Sequence, residues 1–164
     1  MYRDAAAITT RAVRQGNNFV LNGQKQFITA GRRAGVAMIV AVTDPTAGKL
    51  GISTFLTPTR NPGYEVLREE NKLGHRTNDT CNLRFEDMVV PETDLLGQEG
   101  RGLGIALANL SVGRIGVAAQ AVGGARAAYE AALAYAQERE AFKKPIIEHQ
   151  AVAFRLADMA TQIE

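Results

Sequence analysis

The sequence predicts an α+β chain: an antiparallel β-barrel or sandwich domain over residues 1–97, then the start of a helical-bundle domain over residues 98–164, with two long helices of an incomplete four-helix bundle. Three observations carry this. From about Thr9 to Leu96, short apolar runs alternate with turn residues and no helical stripe separates them. Beyond the stretch LLGQEGRGLG the apolar period changes to three or four. A second helical pattern then starts near Pro145 and is still running at Glu164.

Within the first half, NFVLNGQKQFIT places two β-rich runs around Asn22-Gly23, residues that tolerate the positive φ of a type I′ turn, so a hairpin is expected there. In its second strand Phe27 and Thr29 point to one face and Ile28 to the other. VAMIVAVT (36–43) is apolar on both faces and reads as a central, covered strand. GISTFL, YEVL and CNLRFEDMVV continue the series, with Leu83 and Phe85 alternating against polar neighbours.

In the second half, Leu103, Leu107, Leu110, Arg114, Ala118, Val122, Ala125, Tyr129, Ala132 and Ala136 form one helical stripe. A helix from Leu103 to Glu140 would be roughly 57 Å long and needs partner helices along its length. Gly113, Gly116, Gly123 and Gly124 inside it point to a close neighbour, or to a break at Gly123-Gly124. Pro145 suits the first position of the next helix, on which Val152, Leu156, Met159 and Ile163 share a face. Two such helices cannot cover each other's apolar faces, and both chain ends read as cut, so an interior piece of a larger protein is expected.

Composition narrows the function classes. A hydrophobic content of 46% supports a packed core, and a net charge of +2 without a Lys/Arg stripe argues against nucleic acid. One cysteine, Cys81, excludes an internal disulfide, and with only His75 and His149 beside it no zinc site of the usual spacing is expected. No apolar run approaches membrane-spanning length, so no membrane is expected. Asn78-Asp79-Thr80 fits a glycosylation sequon but follows no signal peptide. The glycines of GQEGRGLG lack the following strand of a dinucleotide fingerprint and read as a flexible hinge between the halves. Ser53 and Ser111 lack a nucleophile pattern, His75 lacks an identified partner, and Cys81 reads as a small packed side chain. REAFKKPIIEHQ (139–150) has two readings, a charged interhelical turn or a binding corner.

Taken together, LNGQKQFITAG, KLGHRTNDTCNLRFEDMVVPETDLLGQEGRGLGIAL, GRIGVAAQAVGGARAAYEAALAYAQEREAF and EHQAVAFRLADMATQIE resemble the acyl-CoA dehydrogenases in colinear order over essentially the whole chain, nearest the short-chain and related bacterial branches. The resemblance implies a middle β domain and the first two helices of the C-terminal bundle. It also implies FAD as cofactor. Phe27-Ile28-Thr29 stands where the family has Trp-Ile-Thr against the flavin ring; the indole N–H is lost and an aromatic face kept. Arg139 matches the arginine that contacts the FAD pyrophosphate, usually that of a neighbouring subunit, and Gln150 the glutamine that binds the same cofactor, with Phe142 packing beside the cofactor and Lys143 replacing a usual glycine. Ser111, Val112, Gly113 and Arg114 occupy the substrate segment; many relatives have Asp at Ser111, and a minority place a catalytic glutamate at Gly113.

The implied reaction is α,β-dehydrogenation of an acyl-CoA thioester: a carboxylate takes the α proton while the β hydride passes to the flavin. In most relatives that carboxylate lies beyond the position of Glu164, so no catalytic base is assigned and the isolated chain is expected to be inactive. Arg3-Asp4 resembles the end of the family's Thr-Glu-Pro segment, with Arg3 in place of serine. The resemblance further implies a place in β-oxidation, electron-transfer flavoprotein as acceptor, a homo-oligomer (dimer or tetramer), and a cytoplasmic or mitochondrial-matrix location. The alternatives are a non-catalytic relic or interaction module of the same fold, and a flavin-dependent oxidase or monooxygenase.

Overall fold

In the computed structural model residues 7–164 are described; Arg3-Asp4 lie outside them. The chain divides into two compact units within its long helix, between Asn109 and Leu110.

The first unit is built on a mixed six-stranded sheet, not a closed barrel, with strand order β4-β3-β1-β2-β6-β5. The strands are β1 (Arg11–Gln15), β2 (Asn18–Thr29), β3 (Val36–Val42), β4 (Ile52–Pro58), β5 (Tyr64–Glu69) and β6 (Thr80–Pro91). The neighbours pair antiparallel except β1 and β3, which meet in parallel at Arg11 and Val42. Inward residues of β2, β3, β4 and β6 enclose one core containing Phe19, Leu21, Ile39, Phe55, Leu83, Phe85 and Met88. Phe19 and Phe55 meet edge-on, their ring centroids 4.9 Å apart. The arrangement is sandwich-like, as expected.

Asn22-Gly23 is not a turn. β2 runs through it without a break, and the tight connection lies at Gly16-Asn17, between Gln15 and Asn18. Opposite Asn22, β6 bulges at Asp87 (φ 44°). Asn22 locks the bulge reciprocally: its Nδ2 donates to Asp87 Oδ1 (3.1 Å) and the Asp87 N–H donates to Asn22 Oδ1 (2.9 Å). Gly23 is needed for close approach, since a Cβ there would lie 2.8 Å from Thr10 Cα. Core packing across the sheet has overridden the local turn preference.

The segment 97–102 is held, where a flexible hinge was expected. The Gly100 N–H donates to Ser53 Oγ (2.9 Å), Thr54 Oγ1 donates to Gly102 O (3.1 Å), and a Cβ on Gly102 would collide with the Ser53-Thr54 backbone. Helix α1 (Gly102–Glu138) starts from this anchored point.

In the second unit α1 continues unbroken past Gly123-Gly124, with open space beside all four interior glycines. Between Arg101 and Arg126 its only charge is Arg114. By length and composition α1 therefore qualifies as a membrane span, against the sequence expectation; its alanines and glycines make an apolar run with few bulky side chains. Helix α2 (Gln150–Ile163) returns along it, with Arg126 and Glu164 paired at 3.3 Å and Ala136 and Leu156 buried. Pro145 does not open α2. It closes a small hairpin of β7 (Glu140–Ala141) and β8 (Lys144–Pro145), a 3-10 turn follows, and α2 begins at Gln150.

Candidate functional site

The residues singled out in the sequence fall in three places. The first is the end of β2. Lys25 pairs with Leu83 and Ile28 with Cys81, so Gln26 and Phe27 face a single β6 residue: a bulge, with Phe27 at φ 60°. The bulge turns Phe27 and Thr29 outward, Phe27 being 45% exposed, and Ile28 inward onto the core. The expected facing thus holds, but a bulge and not simple alternation along β2 produces it. Beside it Lys25 Nζ donates to Val40 O (2.7 Å) against an apolar wall of Ile28, Met38 and Phe85, and burial lowers its pKa to about 8.

The second place is the corner between α1 and α2. Phe142 and Lys143, at φ 54° and 66°, form the two-residue loop of the β7–β8 hairpin, the left-handed pair that a type I′ turn demands. The Ile146 N–H donates to Arg139 O (2.8 Å), and His149 Nε2 lies 3.1 Å from Ala141 O. Arg139 and Gln150 thereby flank one hairpin. Phe142 is 91% exposed, with its ring edge-on to His149 at 5.9 Å between centroids. Arg139 is exposed, and its guanidinium has no side-chain hydrogen bond or ion pair among the described residues. Gln150, also exposed, is the first residue of α2 and stands where that helix presents unsatisfied N–H groups.

The third place is Ser111–Arg114 on α1, all exposed. Gly113 and Arg114 border a shallow apolar hollow with Leu110, Val117 and Ala121.

Sequence reasoning missed a cluster just past β2. The Ala30 N–H donates to Asp79 O (2.9 Å), Tyr64 Oη donates to Gly31 O (2.8 Å), and the Arg32 N–H donates to Asp79 Oδ2 (2.8 Å). The Asp79 side chain is fully buried. The Arg32 amide holds its carboxyl below the usual range despite burial, while burial raises the neighbouring Cys81 thiol and the Tyr64 phenol. In the sequence Asp79 is only the middle of a sequon; a lone acid between Asn and Thr carries no motif that announces burial. Cys81 is a buried side chain, as expected.

The family models that match are the acyl-CoA dehydrogenase middle domain, over residues 3–88, and the acyl-CoA dehydrogenase C-terminal domain, over residues 100–164. An acyl-CoA dehydrogenase of Bacillus subtilis is 47% identical over 161 residues, 98% of this chain and 42% of its own length. Butyryl-CoA dehydrogenase from Megasphaera elsdenii superposes with a TM-score of 0.92 at 42% identity, over 98% of this chain and 42% of that one. A chain in a structure described as the electron transferring flavoprotein of Acidaminococcus fermentans superposes with a TM-score of 0.92 at 47% identity, over 98% of this chain and 42% of that one. The chain thus spans about two fifths of the length of these relatives. With the middle-domain model alone covering more than half of its residues, the chain belongs to the acyl-CoA dehydrogenase family.

Proposed function

We propose that this chain is the middle β domain and the first bundle helices of an FAD-dependent acyl-CoA dehydrogenase, an oxidoreductase that desaturates acyl-CoA thioesters in β-oxidation. The observation that carries the reading is the hairpin corner. An exposed arginine without a side-chain partner among the described residues and a helix-opening glutamine flank a loop carrying an exposed aromatic ring. This donor set suits FAD: a guanidinium makes paired, charge-assisted bonds to pyrophosphate oxygens, and the start of α2 adds partial positive charge. When bound, FAD supplies the acceptor for the β hydride of the thioester.

The chain's own residues bind and orient. Arg139 holds the pyrophosphate and Gln150 binds the same FAD, with Phe142 packing against the cofactor. Phe27 offers an aromatic face and Thr29 a hydroxyl to the flavin, on a strand end that Ile28 anchors in the core. Ser111 to Arg114 contact the acyl-CoA, with Arg114 as the cationic member. No residue here is assigned the α-proton abstraction; Gly113 has no group to perform it. A domain boundary near Gly97, electron-transfer flavoprotein as acceptor, assembly as a homo-oligomer that shares its FAD sites, and a cytoplasmic or matrix location complete the proposal. In it the apolar run of α1 is covered by bundle helices and not by lipid.

The test is Arg139→Ala in the full-length protein. The FAD dissociation constant is expected to rise at least about tenfold, from the loss of a charge-assisted pair. Unchanged flavin content after gel filtration defeats the reading. The 164-residue polypeptide by itself is expected to reduce no acceptor dye on addition of butyryl-CoA; dye reduction would place a base within it.

A further inference from the structure

We propose that Asp79 and Tyr64 are positioning residues, which pin the backbone from Ala30 to Arg32 so that Phe27 and Thr29 face the flavin. The inference rests on the reading of residues 27–29 as flavin contacts given above.

Ile28 and Thr29 lie between two non-glycine residues in the left-handed region, Phe27 at φ 60° and Ala30 at φ 57°. That conformation is unfavourable for any residue with a Cβ and persists only where its surroundings over-determine it. On the Phe27 side, Lys25 Nζ ties the strand to Val40 O of β3. On the Ala30 side the three residues just past the strand are fixed from elsewhere in the fold: Ala30 through its N–H to Asp79 O, Gly31 through its carbonyl to Tyr64 Oη, and Arg32 through its N–H to Asp79 Oδ2. Gly31 also packs so closely on Cys81 that a Cβ would lie 2.8 Å from the Cys81 Cβ. Thr29 is the last residue of β2, so its direction is set where these restraints act.

Burial of Asp79 points to placement more than to stability. A fully buried carboxylate carries a desolvation penalty that a neutral acceptor would avoid. Its Oδ1 has no hydrogen-bond partner among the described residues, and the nearest cation, Arg33 Nε, is 3.9 Å away. The Asp79 Oδ2 accepts the Cys81 thiol at 3.4 Å and, in a shorter and stronger bond, the Arg32 amide, which fixes the exit of the flavin-facing strand. Tyr64 contributes a ring packed on Phe85, at 5.8 Å between centroids, and places its hydroxyl on the neighbouring carbonyl.

The experiment uses the full-length protein, prepared as apoprotein and reloaded with FAD, comparing Asp79→Ala, Tyr64→Phe and Thr29→Ala. The readouts are the FAD dissociation constant, the shape of the bound flavin's long-wavelength absorption band, and amide hydrogen exchange at Ala30 and Arg32 in the apoprotein. Tyr64→Phe is expected to weaken FAD binding about threefold and Asp79→Ala about tenfold or more. Both should shift the flavin band in the same sense as Thr29→Ala and speed exchange at Arg32. If the Asp79 and Tyr64 effects pass through Thr29, each double variant with Thr29→Ala binds FAD no more weakly than the worse single variant. Wild-type FAD affinity and an unshifted band in Tyr64→Phe and Asp79→Ala, with Thr29→Ala impaired, overturn the inference and leave the flavin reading standing. A Thr29→Ala variant indistinguishable from wild type removes that reading, and the inference with it. Should Asp79→Ala fail to fold, Tyr64→Phe, which keeps the ring, decides by the same criteria.

Discussion

Two phenylalanines, Phe27 and Phe142, share nearly the same left-handed backbone conformation in opposite surroundings. Phe27 sits on a bulge in a twelve-residue strand, with a core side chain next to it and pinned loops beyond. Phe142 sits at the tip of a two-residue loop, almost wholly exposed, and its restraint is the ladder of a hairpin with two residues in each strand. In the first region packing of the whole sheet sustains an unfavourable φ; in the second local hydrogen bonds and one edge-on ring contact with His149 do. The first should therefore be rigid and intolerant of change, the second easily improved.

The largest expected effect tests how tightly the first region is packed. The pKa of Lys25 is lowered from 10.5 to about 8 by burial, so between those values the unfolded chain binds more protons than the folded one and stability rises with pH. Relative to Lys25→Met, the wild-type protein should gain at most about 3 kcal/mol across that window. Urea denaturation of both proteins at about pH 7 and about pH 10 checks this; a pH-independent difference would mean that the ammonium is solvated. Next comes Gly31→Ala, which forces a Cβ onto Cys81 and should destabilise by about 2 kcal/mol, read as a drop in melting temperature.

The hairpin should respond in the other direction. Lys143→Gly removes a left-handed penalty of about 1 kcal/mol and should slow exchange of the Ile146 amide about fivefold. Smallest of all, Phe142→Ala in the FAD-free protein should change stability by less than about 0.5 kcal/mol. A larger loss there would show the hairpin to be packed like the bulge and would erase the contrast.

Much of the framework was legible. Leu83 and Phe85 alternate with polar neighbours on β6, and the long stripe of α1 shows in the spacing of its leucines and alanines. Turns were legible only where local preference decided them. Asn22-Gly23 is a strong turn signal, yet it lies inside a strand because the core needs Leu21 and Met88 paired across the sheet. Phe142-Lys143 is a poor turn signal, yet it forms the loop because the flanking residues pair, Glu140 with Pro145 and Ala141 with Lys144. Arg139 and Gln150 came from the family resemblance, since no spacing rule marks them. Asp79 and Tyr64 were invisible because their importance lies in which backbone atoms they reach, something only the folded sheet defines.

The bulges of β2 and β6 also bear on how this protein can vary. Each strand carries one surplus residue, Asp87 on β6 and Phe27 on β2, and beyond the second the pairing returns to the offset it had before the first. Each surplus residue is absorbed where it stands, two residues sharing one partner. Deleting Phe27 alone would set Gln26 against Asn82, and deleting Asp87 alone would set Glu86 against Asn22; either way every later side chain keeps its present face. What such a deletion removes is the local left-handed kink and the side chain it displays, so length can change at the two sites independently.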